Sequence, residues 1–312
     1  MKAIISGILA LFCQLFIRGI VFAQIHQGFT QPLQFTEMKG IGEFFTNGQF
    51  YLGLQRAFGD MSSGPIVNGI PTNSNRDQAW YIRLGGNLDV YRFNSTQSIR
   101  FSIMHQLQAN TLNDISFNPR MAIWEERVEM NNLFNTEIEL SAGIFHRCKH
   151  NIDNLDGEIN DKPNPLLAQS RVIIQSGISA ALLTPFYSLS KDIALMAYFR
   201  PEFFLISSDY IFPENSTGAS TFQNAKGSIS ASMVIKYQPD TWQIYMHPFA
   251  YTVLQDRSEP SWRCEIGYKP HAKSLFKIGI LYESLGQEIA RIKAERTSVY
   301  SIALSFSPQS LW

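Results

Sequence analysis

The sequence is poor in cysteine and in charge, and after its first two dozen residues it has no long apolar run. Three cysteines are too few for a disulfide-built scaffold, and one of them, Cys13, lies in a leading apolar stretch. That stretch, Ala3 to Phe16, follows Met1-Lys2 and leads to Val21-Phe22-Ala23, the pattern of a secretory signal peptide with cleavage expected after Ala23. Cys13 leaves with it, and the bulky Phe12 before it is not the small residue of a lipoprotein signal. Charged residues make up only 17 % of the chain and the formal net charge is +0, so no global basic field exists to attract nucleic acid. Beyond Gln24 no window is apolar and long enough for a transmembrane helix, which leaves a soluble fold or a membrane-spanning barrel.

What is present is aromatic residues, at 13 %, and a strict alternation of apolar and polar side chains. Ile99-Arg100-Phe101-Ser102-Ile103-Met104-His105-Gln106-Leu107 keeps one parity apolar apart from His105. Phe134, Ile138, Leu140, Ala142 and Ile144 repeat the pattern against Asn135, Glu137, Glu139 and Ser141, as does Val172-Ile174-Ser176-Ile178-Ala180-Leu182. Period two over segments of about ten residues is the mark of a transmembrane antiparallel barrel wall, with one face in lipid and one in the lumen. The expectation is an all-β fold, an up-and-down barrel of about twelve strands, over 49–57, 79–92, 97–108, 119–130, 134–148, 168–184, 191–206, 226–237, 241–255, 261–269, 275–284 and 296–308. The domain plan is a signal at 1–23, a periplasmic lead-in or plug at 24–48, and the barrel from 49 to 312.

Link lengths test this plan, because outer-membrane barrels have short periplasmic turns and longer external loops. From a periplasmic N-terminus, 93–96, 131–133, 185–190, 238–240 and 270–274 become turns, and every one is short. The external links 58–78, 109–118, 149–167, 207–225 and 285–295 are long, and only 256–260 is not. Pro201 and Pro248 fall inside expected strands, where bulges are the expected accommodation. The inward parity carries both signs of charge, among them Arg100, Glu139, Arg200, Glu202, Arg263, Glu265 and Lys277, which implies a lumen crossed by ion pairs rather than a ring of one sign. The chain finishes at Trp312, and in this it resembles bacterial outer-membrane proteins, whose terminal aromatic is part of the signal for the barrel assembly machinery.

One segment suggests chemistry, Ile144-Phe145-His146-Arg147-Cys148-Lys149-His150-Asn151. Parity puts His146 and Cys148 on the outward side near the external rim, where ionisable groups need a reason. His146-x-Cys148 is similar to the His-x-Ser of the outer-membrane phospholipase A and lipid A deacylase families, which lies on the outer barrel wall near the outer leaflet. The resemblance covers these few residues and implies Cys148 as nucleophile and His146 as base. Those families orient the histidine with an Asn or Glu from a neighbouring strand; the strand that follows offers none at matching parity, while Asn151, Asp153 and Asn154 could fold back.

A metal reading adds His150 to the pair, but alternate residues on a strand stand about 7 Å apart. Asp153, Asp156 and Asp161 lack the spacing of a calcium loop, and no cofactor is expected. The plainest expectation is that His146, Arg147, Lys149 and His150 form a basic rim against anionic headgroups, making outer-membrane lipids the partner. Two functions follow: a structural barrel or narrow transport path, and, alternatively, a lipid acyl hydrolase at the external rim.

Overall fold

Alternation in the sequence becomes alternation of burial along each strand. In Ile138–Asn151, Leu140, Ala142 and Ile144 are exposed while Glu139, Ser141, Phe145 and Arg147 are buried. A computed structural model describes residues 42–58, 66–67, 70–71, 80–110, 118–134, 138–151, 158–159, 162–163, 170–212, 222–223, 225–256, 258–271, 274–285 and 297–306. Its barrel strands are β1 (Glu43–Phe58), β2 (Trp80–Arg92), β3 (Gln97–Asn110), β4 (Asn118–Phe134), β5 (Ile138–Asn151), β6 (Ser170–Leu183), β7 (Ile193–Phe212), β8 (Gly227–Tyr237), β9 (Gln243–Leu254), β10 (Ser261–Lys269), β11 (Phe276–Leu285) and β12 (Thr297–Phe306). Each strand pairs antiparallel with the next, and β1 pairs with β12, which closes the ring. Closure satisfies every strand edge, the condition for crossing lipid with a sheet.

The strand ends joined through 93–96, 135–137, 184–192, 238–242 and 270–275 lie at one end of the barrel, and those joined through 59–79, 111–117, 152–169, 213–226, 255–260 and 286–296 at the other. The short-turn end is therefore periplasmic and the other external. Aromatic rings mark both ends of the lipid face. Phe44 packs on Tyr91 at 4.7 Å and Phe276 on Phe306 at 4.9 Å near the turns. Toward the loops, Tyr282 stands 4.6 Å from Trp262 and 4.7 Å from Tyr300, and the Arg56 guanidinium lies 4.8 Å over Trp80. Between them Ile144, Leu205, Ile266 and Ile280 are among the exposed apolar side chains, the belt that faces acyl chains.

Several boundaries differ from the sequence expectation. The first strand begins at Glu43 rather than at 49, because the β1–β2 register shifts between Thr46 and Gln49 and breaks period two there. Residues 1–41, which hold the expected signal and most of the lead-in, lie outside the described residues. Residues 131–133, expected as a turn, belong to β4, which runs on to Phe134: Asn131 and Asn132 carry turn-like chemistry but pair with Ser98 and Gln97 on β3. Strand β7 runs on to Phe212 instead of stopping at 206. The prolines need no bulge. Pro201 stays in register opposite Ile229 and Pro248 opposite Cys264, while the other ladder of each strand skips the rungs beside the proline without a shift. A missing N–H thus interrupts one ladder over two rungs and leaves faces unchanged.

The lumen is filled in two ways. Toward the external end Ile123, Phe145, Ile173, Phe204, Phe222 and Tyr251 form an apolar cluster. In the middle Arg127 donates to Glu125 at 2.5 Å and also bonds Glu202, and Arg200 lies 2.8 Å from Glu129. Arg100 bridges Asp89 at 3.1 Å and Glu139 at 2.9 Å, and on the far wall Arg263 meets Glu283 at 3.1 Å. Tyr245 donates to Glu265 at 2.5 Å. A cavity of about 40 Å³ bordered by Asn87, Arg100, Glu139, Tyr198 and Arg200 has room for a few waters.

Candidate functional site

Outward parity on β5 carries Ile144, His146, Cys148 and His150, with Phe145, Arg147 and Lys149 turned inward. Arg147 and Lys149 are fully buried in the lumen and do not join a headgroup-binding rim. Alternation decides this: only every second residue of the basic segment can face outward. The histidines and the cysteine are on the lipid side as expected, yet they are not paired as expected. His146 Nδ1 lies 2.8 Å from Ser176 Oγ, and Cys148 Sγ lies 2.8 Å from His150 Nε2. The His150 ring stacks on Trp124, centroids 4.6 Å apart and planes 9° from parallel, which leaves Cys148 only 3 % exposed.

Ser176 reaches His146 because β6 sets the two residues directly opposite one another. On the other flank β4 places Glu126 opposite His146. Directly opposed side chains on one face have Cβ atoms about 4.5–5.5 Å apart, so Glu126, His146 and Ser176 form one row across three strands. The row below it, Val128, Ile144 and Ile178, is apolar and exposed. Above it stand Trp124, Cys148 and Ile174. On β4 the lipid face runs from Trp124 to Phe134, about 33 Å along the strand and about 25 Å along the membrane normal at a tilt of about 40°. The polar row therefore sits about 5 Å inside the external aromatic level.

Beside Ser176 the β6–β7 ladder shifts register between Ser176 and Gly177. Ser176 pairs with Ile206 and Gly177 with Phe204, so Leu205 is the extra residue, and Leu205 and Ile206 are both exposed. Two consecutive apolar side chains thus stand against lipid next to the hydroxyl. Gly177 permits the close approach, since a Cβ there would lie 1.9 Å from the Phe203 carbonyl oxygen.

With its proton on Nε2, His146 accepts from the Ser176 hydroxyl, the arrangement that activates a serine for attack on a carbonyl. Sequence reasoning missed Ser176 and Glu126. Each is a polar residue on an otherwise apolar parity, Ser176 between Ile174 and Ile178, Glu126 between Trp124 and Val128, and that interruption was the available signal. Among the described residues no group of three or more His, Cys, Asp or Glu side chains is placed to hold a metal, and His146 is turned to Ser176 rather than to Cys148 and His150. Asp153, Asp156, Asn154 and Asp161 lie outside the described residues. Cys148 and Cys264 are free thiols.

A closed twelve-strand antiparallel barrel with an apolar belt, a polar-lined lumen and short turns at one end is a transmembrane barrel of the outer-membrane type, and the outer membrane is its location. Its sequence matches no family model and no curated protein. Solved structures share the architecture. Outer membrane phospholipase A from Escherichia coli is 9 % identical, with 83 % of this chain and 92 % of that one covered, at a TM-score of 0.44. LpxR from Salmonella typhimurium is 9 % identical over 83 % of this chain and 99 % of that one, TM-score 0.41. The Pseudomonas putida toluene transporter TodX is 11 % identical over 92 % and 94 %, TM-score 0.40. Likeness at this level extends to the barrel and no further, so function rests on this chain's own residues.

Proposed function

We propose that this barrel is a lipid acyl hydrolase of the outer leaflet, with Ser176 as nucleophile and His146 as general base. The supporting observation is the 2.8 Å contact between Ser176 Oγ and His146 Nδ1 on the lipid-facing wall near the external rim. Ser176 Oγ attacks the ester carbonyl of an outer-leaflet lipid while His146 takes the hydroxyl proton. The tetrahedral adduct expels the alcohol, which receives that proton, and water then releases the fatty acid from the acyl-serine by the reverse proton path. Glu126, across from His146, is the group available to favour the imidazolium formed in each step. Leu205 and Ile206 supply apolar contact for the departing acyl chain.

Burial under Trp124 and a separate hydrogen bond to His150 make Cys148 the second candidate nucleophile, not the first. The test is fatty-acid release by the purified protein from phospholipid and from lipid A. Loss on the order of 10⁴-fold or more in Ser176→Ala and His146→Ala, with activity kept in Cys148→Ala, supports the assignment. Loss in Cys148→Ala alone moves the nucleophile to Cys148. No release from either lipid by the unmodified protein removes the hydrolase reading and leaves a structural barrel or a transport path. Transport has less support here, because ion pairs and an apolar cluster cross the lumen.

A further inference from the structure

The outward row has an inward counterpart one rung away. Arg147 follows His146 in sequence and points into the lumen, where it is fully buried. Its Nε donates to Glu125 at 2.5 Å, its Nη1 to Gln175 at 3.2 Å and its Nη2 to Glu202 at 3.0 Å. One guanidinium on β5 is thereby bonded to β4, β6 and β7. The register places Glu125 and Gln175 directly opposite Arg147, just as it places Glu126 and Ser176 opposite His146.

The lipid face alone cannot fix that register. A slip of β5 by two residues against β6 keeps every side chain on its own face and sets His146 against Ile174 or Ile178 in place of Ser176. Apolar side chains in lipid resist such a slip weakly, because each trades one aliphatic neighbour for another. Arg147 resists it strongly, since its planar fork would leave the Glu125 carboxylate and the Gln175 amide behind.

We propose that Arg147 is the positioning residue of the site, holding β4, β5, β6 and β7 in the one register that sets His146 against Ser176. Its role in activity rests on the reading of that pair as nucleophile and base, whereas its role in positioning can be measured without turnover. The measurement is the imidazole ¹⁵N resonances of His146 in the full-length protein in lipid nanodiscs, together with fatty-acid release. Arg147→Met is expected to shift the Nδ1 resonance toward that of a free imidazole and to lower kcat toward the level of Ser176→Ala with KM unchanged, because a slip of two residues carries His146 about 7 Å from Ser176. Arg147→Lys, which keeps charge but not the fork, is expected to fall between. Arg263→Met removes a lumen cation paired at 3.1 Å with Glu283 on the far wall and is expected to leave the His146 resonances in place.

Should Arg147→Met not fold, Glu125→Gln combined with Arg147→Met keeps Arg127 and Glu202 as a neutral pair and serves in its place. A protein without lipolytic activity in which Arg147→Met, but not Arg263→Met, moves the His146 resonances removes the hydrolase reading and retains the positioning role. His146 resonances that do not respond to either Arg147 variant overturn the proposal whatever the activity. An equal response to Arg263→Met overturns it as well.

Discussion

Glu202→Gln separates a dry lumen from a wet one. Glu202 is 5 % exposed and accepts from Arg127, from Arg147 at 3.0 and 3.1 Å, and from Ser228 Oγ at 2.5 Å. The substitution keeps the shape and deletes the charge, so the two guanidiniums are left to share Glu125. Removing one partner of a buried ion pair costs about 3–5 kcal/mol. At 1.4 kcal/mol per decade the folding equilibrium constant falls roughly 10² to 10³·⁵-fold. Were water to fill the lumen, the same change would cost about 0–1 kcal/mol, as on a surface. The assay is urea-dependent folding into lipid vesicles, read by tryptophan fluorescence and by heat-modifiable electrophoretic mobility. Combining Glu202→Gln with Arg147→Met restores neutrality around Arg127 and Glu125, so the double variant is expected to be more stable than the sum of the two single losses predicts. A loss below about 1 kcal/mol in Glu202→Gln, or simple additivity in the double variant, refutes the buried-network account.

Gly177→Ala should prevent β6 and β7 from closing, because its Cβ would lie 1.9 Å from one backbone oxygen and 2.9 Å from the carbon that bears it; the heat-modifiable band is expected to disappear. Gly143→Ala meets the Val128 carbonyl oxygen at 2.0 Å and should behave alike, and a folded, heat-modifiable variant of either would show that the strands can part there. In a planar bilayer the protein is expected to give no steady conductance, since the external half of the lumen is packed with side chains such as Phe145, Phe204 and Phe222. Stable channel steps of porin type would contradict that packing.

The architecture was open to reading in the sequence wherever the pleat was undisturbed. From Ile138 to Ile144 alternation fixed both faces, and carrying the parity onward put His146, Cys148 and His150 on the correct side. It failed where one residue was added or where polarity misled. The irregularity between Thr46 and Gln49 concealed the start of β1, the pair Asn131-Asn132 imitated a turn, and the bulge at Leu205 hid the continuation of β7. The site was harder because its partners come from three strands. Nothing in the linear order brings Glu126, His146 and Ser176 together; the ladder does. A local motif drew the pairing toward Cys148, two residues along one strand, whereas hydrogen bonds in a sheet join side chains across strands as readily as along one.

The opposed faces of β5 also constrain how this chain can evolve. Phe145, Arg147 and Lys149 serve the lumen while His146, Cys148 and His150 face outward, all within one stretch of backbone. A single inserted or deleted residue there would exchange the two sets, sending a guanidinium into lipid and an imidazole into the barrel. The segment can therefore drift by substitution but not by length, and changes in length must accumulate in links such as 59–79 and 152–169. Relatives should be sought with the spacing between His146 and Ser176 left free and the spacing within each strand held rigid.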